Sequence, residues 1–195
     1  MNQKQLAKHF KTNINWQRFV NLAASLGDQL NDAQWRFFKA IVFENSMESY
    51  SDGSVKYVGQ EGCDLIVTVD GKEHRVEMKY TEHALYTPKG KSAREFCQSI
   101  TLMNSKGTNT HKQLPKNYAD FVLVVGCRAA ALVDKTTLSA YCNFNGDSIT
   151  TDKMPTEVMD FVFDPSSVQA PTLQAVNLRE ELNEAVRRTV AKITQ

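Results

Sequence analysis

The stretch GCDLIVTVDGKEHRVEMKY, Gly62 to Tyr80, decides how this chain folds. From Asp64 to Val69, Leu65, Val67 and Val69 alternate with Ile66 and Thr68, the two-residue period of a strand. Asp70-Gly71 is a pair that favours a tight hairpin turn, and Glu73 to Tyr80 reads as the returning strand. Counting from the turn sets Glu77 roughly opposite Asp64. Glu77 and Lys79 stand two apart, so they share one face of their strand, and Val76 and Met78 take the core face. Asp64, Glu77 and Lys79 are therefore expected to converge at one edge of the sheet.

Upstream, Val55 to Val58 reads as a first strand, broken by Gln60-Glu61-Gly62 and preceded by the turn Ser51-Asp52-Gly53-Ser54. Asn31-Asp32 offers an N-cap for a helix over Ala33 to Tyr50 with Phe37, Phe38, Ile41, Val42 and Met47 as its apolar set. Glu44 and Glu48 lie on one face of that helix. Residues 1–30 read as helical as far as Gly27, on Trp16, Phe19, Val20, Ala23, Ala24 and Leu26.

Downstream, a loop over residues 81–91 leads to a helix from Ser92 to about Asn104, with Phe96, Ile100 and Met103 as its stripe. Residues 105–117 are polar and loop-like. Phe121 to Val125 is a short buried strand, which Ala129 to Asp134 is expected to pair. The signal is weak from Thr136 to Pro171, save for a strand at Phe161 to Phe163. Leu173 to Ile193 is an amphipathic helix. The sum is an α/β (α+β) chain, one domain over residues 1–195. Its core spans about residues 33–135, with the segments 1–30 and 173–193 as appendages.

The 195 residues suit one compact domain. No apolar run approaches the roughly 18–20 residues of a membrane span, and the polar N-terminus lacks a secretory apolar stretch. A cytoplasmic protein is expected. Cys63, Cys97, Cys127 and Cys142 form no CxxC pair, so they read as thiols rather than zinc ligands. No GxGxxG or P-loop pattern occurs, so no nucleotide cofactor is expected. Trp16, Trp35, Phe37 and Phe38 read as core, and Arg187 and Arg188 as part of a packing or dimer helix.

Two converging carboxylates suit a hard divalent cation such as magnesium, which is typically held by one or two protein carboxylates, water and substrate phosphate oxygens. A lysine beside them can orient a water and offset charge on a phosphorus centre. That combination serves phosphodiester hydrolysis. The net charge is only +1, but Lys79 to Lys116 carries seven Lys or Arg against Glu82 and Glu95, a local charge of +5. Lysine and arginine contacts to phosphate are the main source of nucleic-acid affinity. Lys89, Lys91, Arg94, Gln98, Asn104, Lys106, Asn109 and Lys112 are the DNA-binding candidates.

Asp64 followed by Glu77-Met78-Lys79 resembles the PD-(D/E)xK nuclease superfamily, whose core is a mixed sheet with flanking helices in the order αβββαβ. The superfamily includes type II restriction endonucleases, Holliday-junction resolvases and repair nucleases. The resemblance covers roughly residues 33–135. It departs at Cys63, which stands where many members have proline. It implies that Asp64 and Glu77 hold magnesium, or manganese in its place, and that Lys79 positions or activates the attacking water. Many members carry a further glutamate on the helix before the sheet; Glu44 matches, with Glu48 as the alternate. The function implied is a magnesium-dependent endodeoxyribonuclease on double-stranded DNA, a small homodimeric enzyme of a restriction system. The alternatives are a structure-selective junction or repair nuclease, and a non-catalytic DNA-binding module on a nuclease-like core.

Overall fold

The computed structural model describes residues 1–26, 33–60, 62–80, 99–101, 118–126, 130–141, 148–150, 159–163 and 178–193. The helices are α1 (Gln3–Asn13), α2 (Trp16–Leu26), α3 (Ala33–Tyr50), α4 (Lys135–Tyr141) and α5 (Leu178–Ile193). The strands are β1 (Val55–Gln60), β2 (Cys63–Val69), β3 (Lys72–Tyr80), β4 (Ser99–Thr101), β5 (Phe121–Val125), β6 (Ala130–Asp134), β7 (Ser148–Thr150) and β8 (Asp160–Phe163). Six of them form one mixed sheet in the order β1-β2-β3-β5-β6-β8, flanked by helices. Only β3 and β5 run parallel; the other neighbours are antiparallel.

The hairpin forms where the sequence places it. Asp70 and Gly71 both take positive φ, 51° and 72°, between Val69 and Lys72, which are paired. Two such residues give a turn whose twist matches that of the strands. Leu65 pairs with Val76 and Val67 with His74. Leu65, Val67, Val76, Met78, Phe121, Leu123 and Leu132 lie on the core face with Leu6, Phe10, Phe19, Leu22, Val42, Phe43 and Met47 of α1, α2 and α3. The alternate residues Val122, Val124, Ala131 and Val133 are buried as well. Buried on both faces, β5 reads as a continuous apolar run. It pairs with β6 from Phe121↔Asp134 to Val125↔Ala130, as expected.

Three expectations are corrected. Residues 1–26 form two helices rather than one. Asn15 accepts the amide of Arg18 at 3.0 Å and caps α2, while its own amide donates to the Tyr50 carbonyl at 2.9 Å. Ile14, extended, bridges to Ser51. An asparagine whose side chain takes a backbone amide breaks a helix that the apolar period alone would continue. Ser99–Thr101, placed in a helix by the Phe96, Ile100, Met103 spacing, is a strand paired with Ser148–Thr150. β-branched Ile100 and Thr101 suit the extended form, and the partner lies far along the chain. The rest of residues 92–104 lies outside the described residues. The weak stretch after Thr136 contains α4, which Asp134 caps by accepting the Thr137 amide at 2.7 Å and the Thr137 hydroxyl at 2.8 Å. β8 lies at Phe161–Phe163 as read, one residue longer. Residues 173–177 of the last helix lie outside the described residues.

No helix among the described residues is long and apolar enough to cross a membrane.

Candidate active site

Asp64 stands at the start of β2, two residues after Gly62. Gly62 takes φ +73°, and its carbonyl accepts the Ala119 amide at 2.7 Å. Cys63 is fully buried as a free thiol that donates to the Leu65 carbonyl. The Leu65↔Val76 pair, continued by one residue, sets Asp64 opposite Glu77. There the carboxyl of Asp64 enters the ladder: its Oδ2 accepts the amide of Met78 at 2.8 Å. The aspartate is thus fixed by backbone and cannot swing away without leaving that amide unpaired.

Glu77 lies on the opposite face of β3 from Val76 and Met78, yet it is buried too, at 4% exposure. Its Oε1 accepts from the ammonium of Lys79, whose side chain keeps 23% exposure and so reaches both the site and solvent. Its Oε2 is buried and receives no hydrogen bond. The charge of Asp64 pushes the Glu77 carboxyl up, so as two carboxylates the pair repel each other. Tyr80, next to Lys79, packs on Phe43 at 4.0 Å between ring centroids and lies under the ammonium of Lys39 at 5.6 Å, which anchors the end of β3 against α3.

Glu44 of α3 completes the group. Burial pushes its carboxyl up to about 8, the charge of Asp64 pushes it further the same way, and Lys79 pulls it back. Burial likewise raises Glu77 to about 7, against the pull of Lys79 and with the push of Asp64. Asp64 is raised by burial, with Lys79 and the Met78 amide opposing. One buried acid, Glu77, and two half-buried ones, Asp64 and Glu44, therefore share the field of one lysine, an arrangement with a surplus of negative charge. Glu48, one turn on, is engaged elsewhere: its Oε2 accepts the Tyr57 amide at 2.8 Å and its Oε1 faces Arg188 Nη1 at 3.7 Å.

The acidic group offers hard oxygen donors of the kind a divalent cation takes, and the buried Glu77 Oε2 receives no hydrogen bond. Among the described residues no three His, Cys, Asp or Glu side chains form a cage for an ion. Magnesium does not require one, since water and substrate complete its shell.

Of the site residues expected from sequence, Asp64, Glu77, Lys79 and Glu44 come together. Lys89, Lys91, Arg94, Gln98, Asn104, Lys106, Asn109 and Lys112 lie outside the described residues. His74 is on the core face, edge-on to Phe121, and His9 bonds Ser54 Oγ at 2.9 Å, so neither belongs to the acidic group. Sequence reasoning missed Tyr57, a buried residue of β1 whose hydroxyl is held well above its ordinary titration range, first by burial and then by the charges of Glu44 and Asp64. Its one signal is a tyrosine on a core-facing strand position, where a buried hydroxyl needs a partner.

Comparison with known proteins adds no relative: no family model matches the chain, and no curated protein or solved structure is significantly similar to it.

Proposed function

We propose that the protein is a magnesium-dependent endonuclease of the PD-(D/E)xK kind, hydrolysing phosphodiester bonds of double-stranded DNA. The observation that carries this is the convergence of Asp64, Glu77, Glu44 and Lys79 at one end of a hairpin, with Asp64 locked by the Met78 amide. The order α3-β1-β2-β3 followed by a parallel β5 supports a core of the αβββαβ type. The helix expected between β3 and β5 falls outside the described residues, apart from the three of β4.

In this reading Asp64 and Glu77 would hold magnesium, with manganese as a substitute. When bound, the ion would polarise the phosphate and stabilise the leaving oxygen. Lys79 orients the attacking water and offsets the charge that gathers on the phosphate oxygens. Glu44 holds that water from the helix side. The water oxygen bonds to phosphorus and releases a proton to solvent, the bridging P–O bond breaks, and the leaving alkoxide takes a proton from solvent. Sequence-specific cutting as part of a restriction system, by a homodimer whose two-fold axis matches a two-fold site, is the form of this activity that we favour.

Plasmid DNA and a branched four-way junction, each incubated with the protein in magnesium and in EDTA, test the proposal. Discrete plasmid fragments in magnesium alone are expected. Cutting of the junction but not of plasmid would favour a structure-selective nuclease. Binding without cutting, equal in magnesium and EDTA, would leave a DNA-binding module.

A further inference from the structure

Gly62, two residues before Asp64, is gripped by the segment that enters β5. Its carbonyl accepts the Ala119 amide at 2.7 Å. A Cβ added at Gly62 would stand 3.2 Å from Tyr118 Cδ2 and 3.4 Å from Tyr118 Cα, so both the ring and the backbone of Tyr118 close on it. Gly62 takes φ +73°, a left-handed conformation that glycine adopts without penalty. The segment that holds it is itself tied down. The Asp120 amide donates to the Arg75 carbonyl at 3.1 Å and the Lys135 amide to the Asp120 carbonyl at 2.8 Å. The Lys135 ammonium donates to the Tyr118 carbonyl at 3.3 Å. Tyr118 is 4% exposed and Ala119 is fully buried, so the grip belongs to the interior.

One residue separates Gly62 from Asp64. Cys63 is fully buried, and its thiol donates to the Leu65 carbonyl. A displacement at Gly62 therefore has no slack in which to die out before Asp64. Beyond it, Asp64 Oδ2 accepts the Met78 amide at 2.8 Å, a bond that weakens steeply once misaligned. We propose that Gly62 is a positioning residue: clasped by Tyr118 and Ala119, it sets where β2 begins and so keeps the Asp64 carboxyl on the Met78 amide, at the level of Glu77. The proposal rests on the reading of Asp64 as an acid of the active site. Nothing in the spacing of the acids requires glycine at this point; the close approach of Tyr118 does.

Hydrogen exchange followed amide by amide separates positioning from plain stability. Gly62→Ala leaves every acid in place. Its Met78 amide should exchange about 10-fold faster than in wild type, the scale of an L-residue forced to positive φ. The amides of β6 should keep their wild-type protection. Its kcat on DNA should fall by about 10²-fold, the scale of a displaced reacting group, while KM stays near the wild-type value. Asp64→Ala removes the acceptor, so adding Gly62→Ala to it should leave Met78 exchange where Asp64→Ala alone puts it. Lys135→Met, a milder change that removes the ammonium donor from the Tyr118 carbonyl, should move Met78 exchange in the same direction. It carries the test if Gly62→Ala does not fold. Unchanged Met78 exchange in the folded variants would overturn the proposal. So would equal acceleration of the Met78 and β6 amides in Gly62→Ala, or a wild-type kcat beside faster Met78 exchange. If Met78 exchange responds as expected but the wild-type protein cuts no DNA, the positioning of Asp64 stands and the nuclease reading alone falls.

Discussion

Glu44 and Glu48 differ by one helical turn and by everything that surrounds them. Glu44 is in the field of Asp64, Glu77 and Lys79. Glu48 ties α3 to β1 and to α5 through Arg188. Glu44→Gln should therefore lower cleavage by about 10²-fold or more, the scale of a lost water-handling group, with the fold intact. Glu48→Ala should act mainly on stability, since it strands the buried Tyr57 amide at a cost of about 1–3 kcal/mol. Steady-state cleavage and thermal melts of the two proteins separate these effects. Equal loss of cleavage in both would contradict the assignment. The acids also set a pH dependence. Glu44 and Glu77 are raised in the fold to about 8 and about 7 from 4.5, so the folded state binds more protons than the unfolded state between those values. Stability is then greatest near or below pH 4.5 and is lost as pH rises through 7 and 8. In metal-free buffer the melting temperature should fall between pH 5 and pH 8 by at least about 4 °C, the equivalent of roughly 1–2 kcal/mol for this length. Glu44→Gln should flatten that slope. A flat wild-type profile would contradict it.

At the scale of elements, the hairpin was legible because every local signal agreed. Alternation in β2, a two-residue turn with an Asp-Gly pair, and an acid and a lysine two apart fix both faces and the register together. A one-residue slip would have turned Leu65 and Val67 outward. The β4 segment was misread because Ile100 fits a helical stripe with Phe96 and Met103 as well as it fits a strand, and only its distant partner Ile149 decides. α4 was missed because Asp134 ends one element and caps the next. A strand-ending aspartate followed by Lys-Thr-Thr gives little apolar period to read. Asp134→Ala should cost about 1 kcal/mol, lowering the melting temperature by about 2–4 °C in a chain of this length. No change on melting would mean that α4 does not depend on its cap. Glu44 was legible only as one of two acids on a helix face.

Across the whole molecule, charge is divided unevenly. The chain totals +1, but the stretch from Lys79 to Lys116 carries +5, immediately after the acidic group in sequence. If about five phosphates are neutralised by that stretch, DNA affinity should fall by a few hundred-fold, about 500-fold, between 50 and 200 mM salt. Fluorescence anisotropy of a labelled duplex measures this, and replacing Lys89, Lys91 and Arg94 together should lower the slope by about three. A salt-independent affinity would remove the basic stretch from the interface.

The most direct measurement is supercoiled plasmid incubated with wild-type protein and with Lys79→Ala, side by side in magnesium. Lys79 binds no ion in this reading, is partly exposed, and touches Glu77, so its loss should leave the fold in place. Wild type should give discrete linear products, and Lys79→Ala should be slower by about 10²–10³-fold, the scale of a lost transition-state donor. Cutting by Lys79→Ala at the wild-type rate, or no cutting by a folded wild-type protein, would contradict the endonuclease assignment.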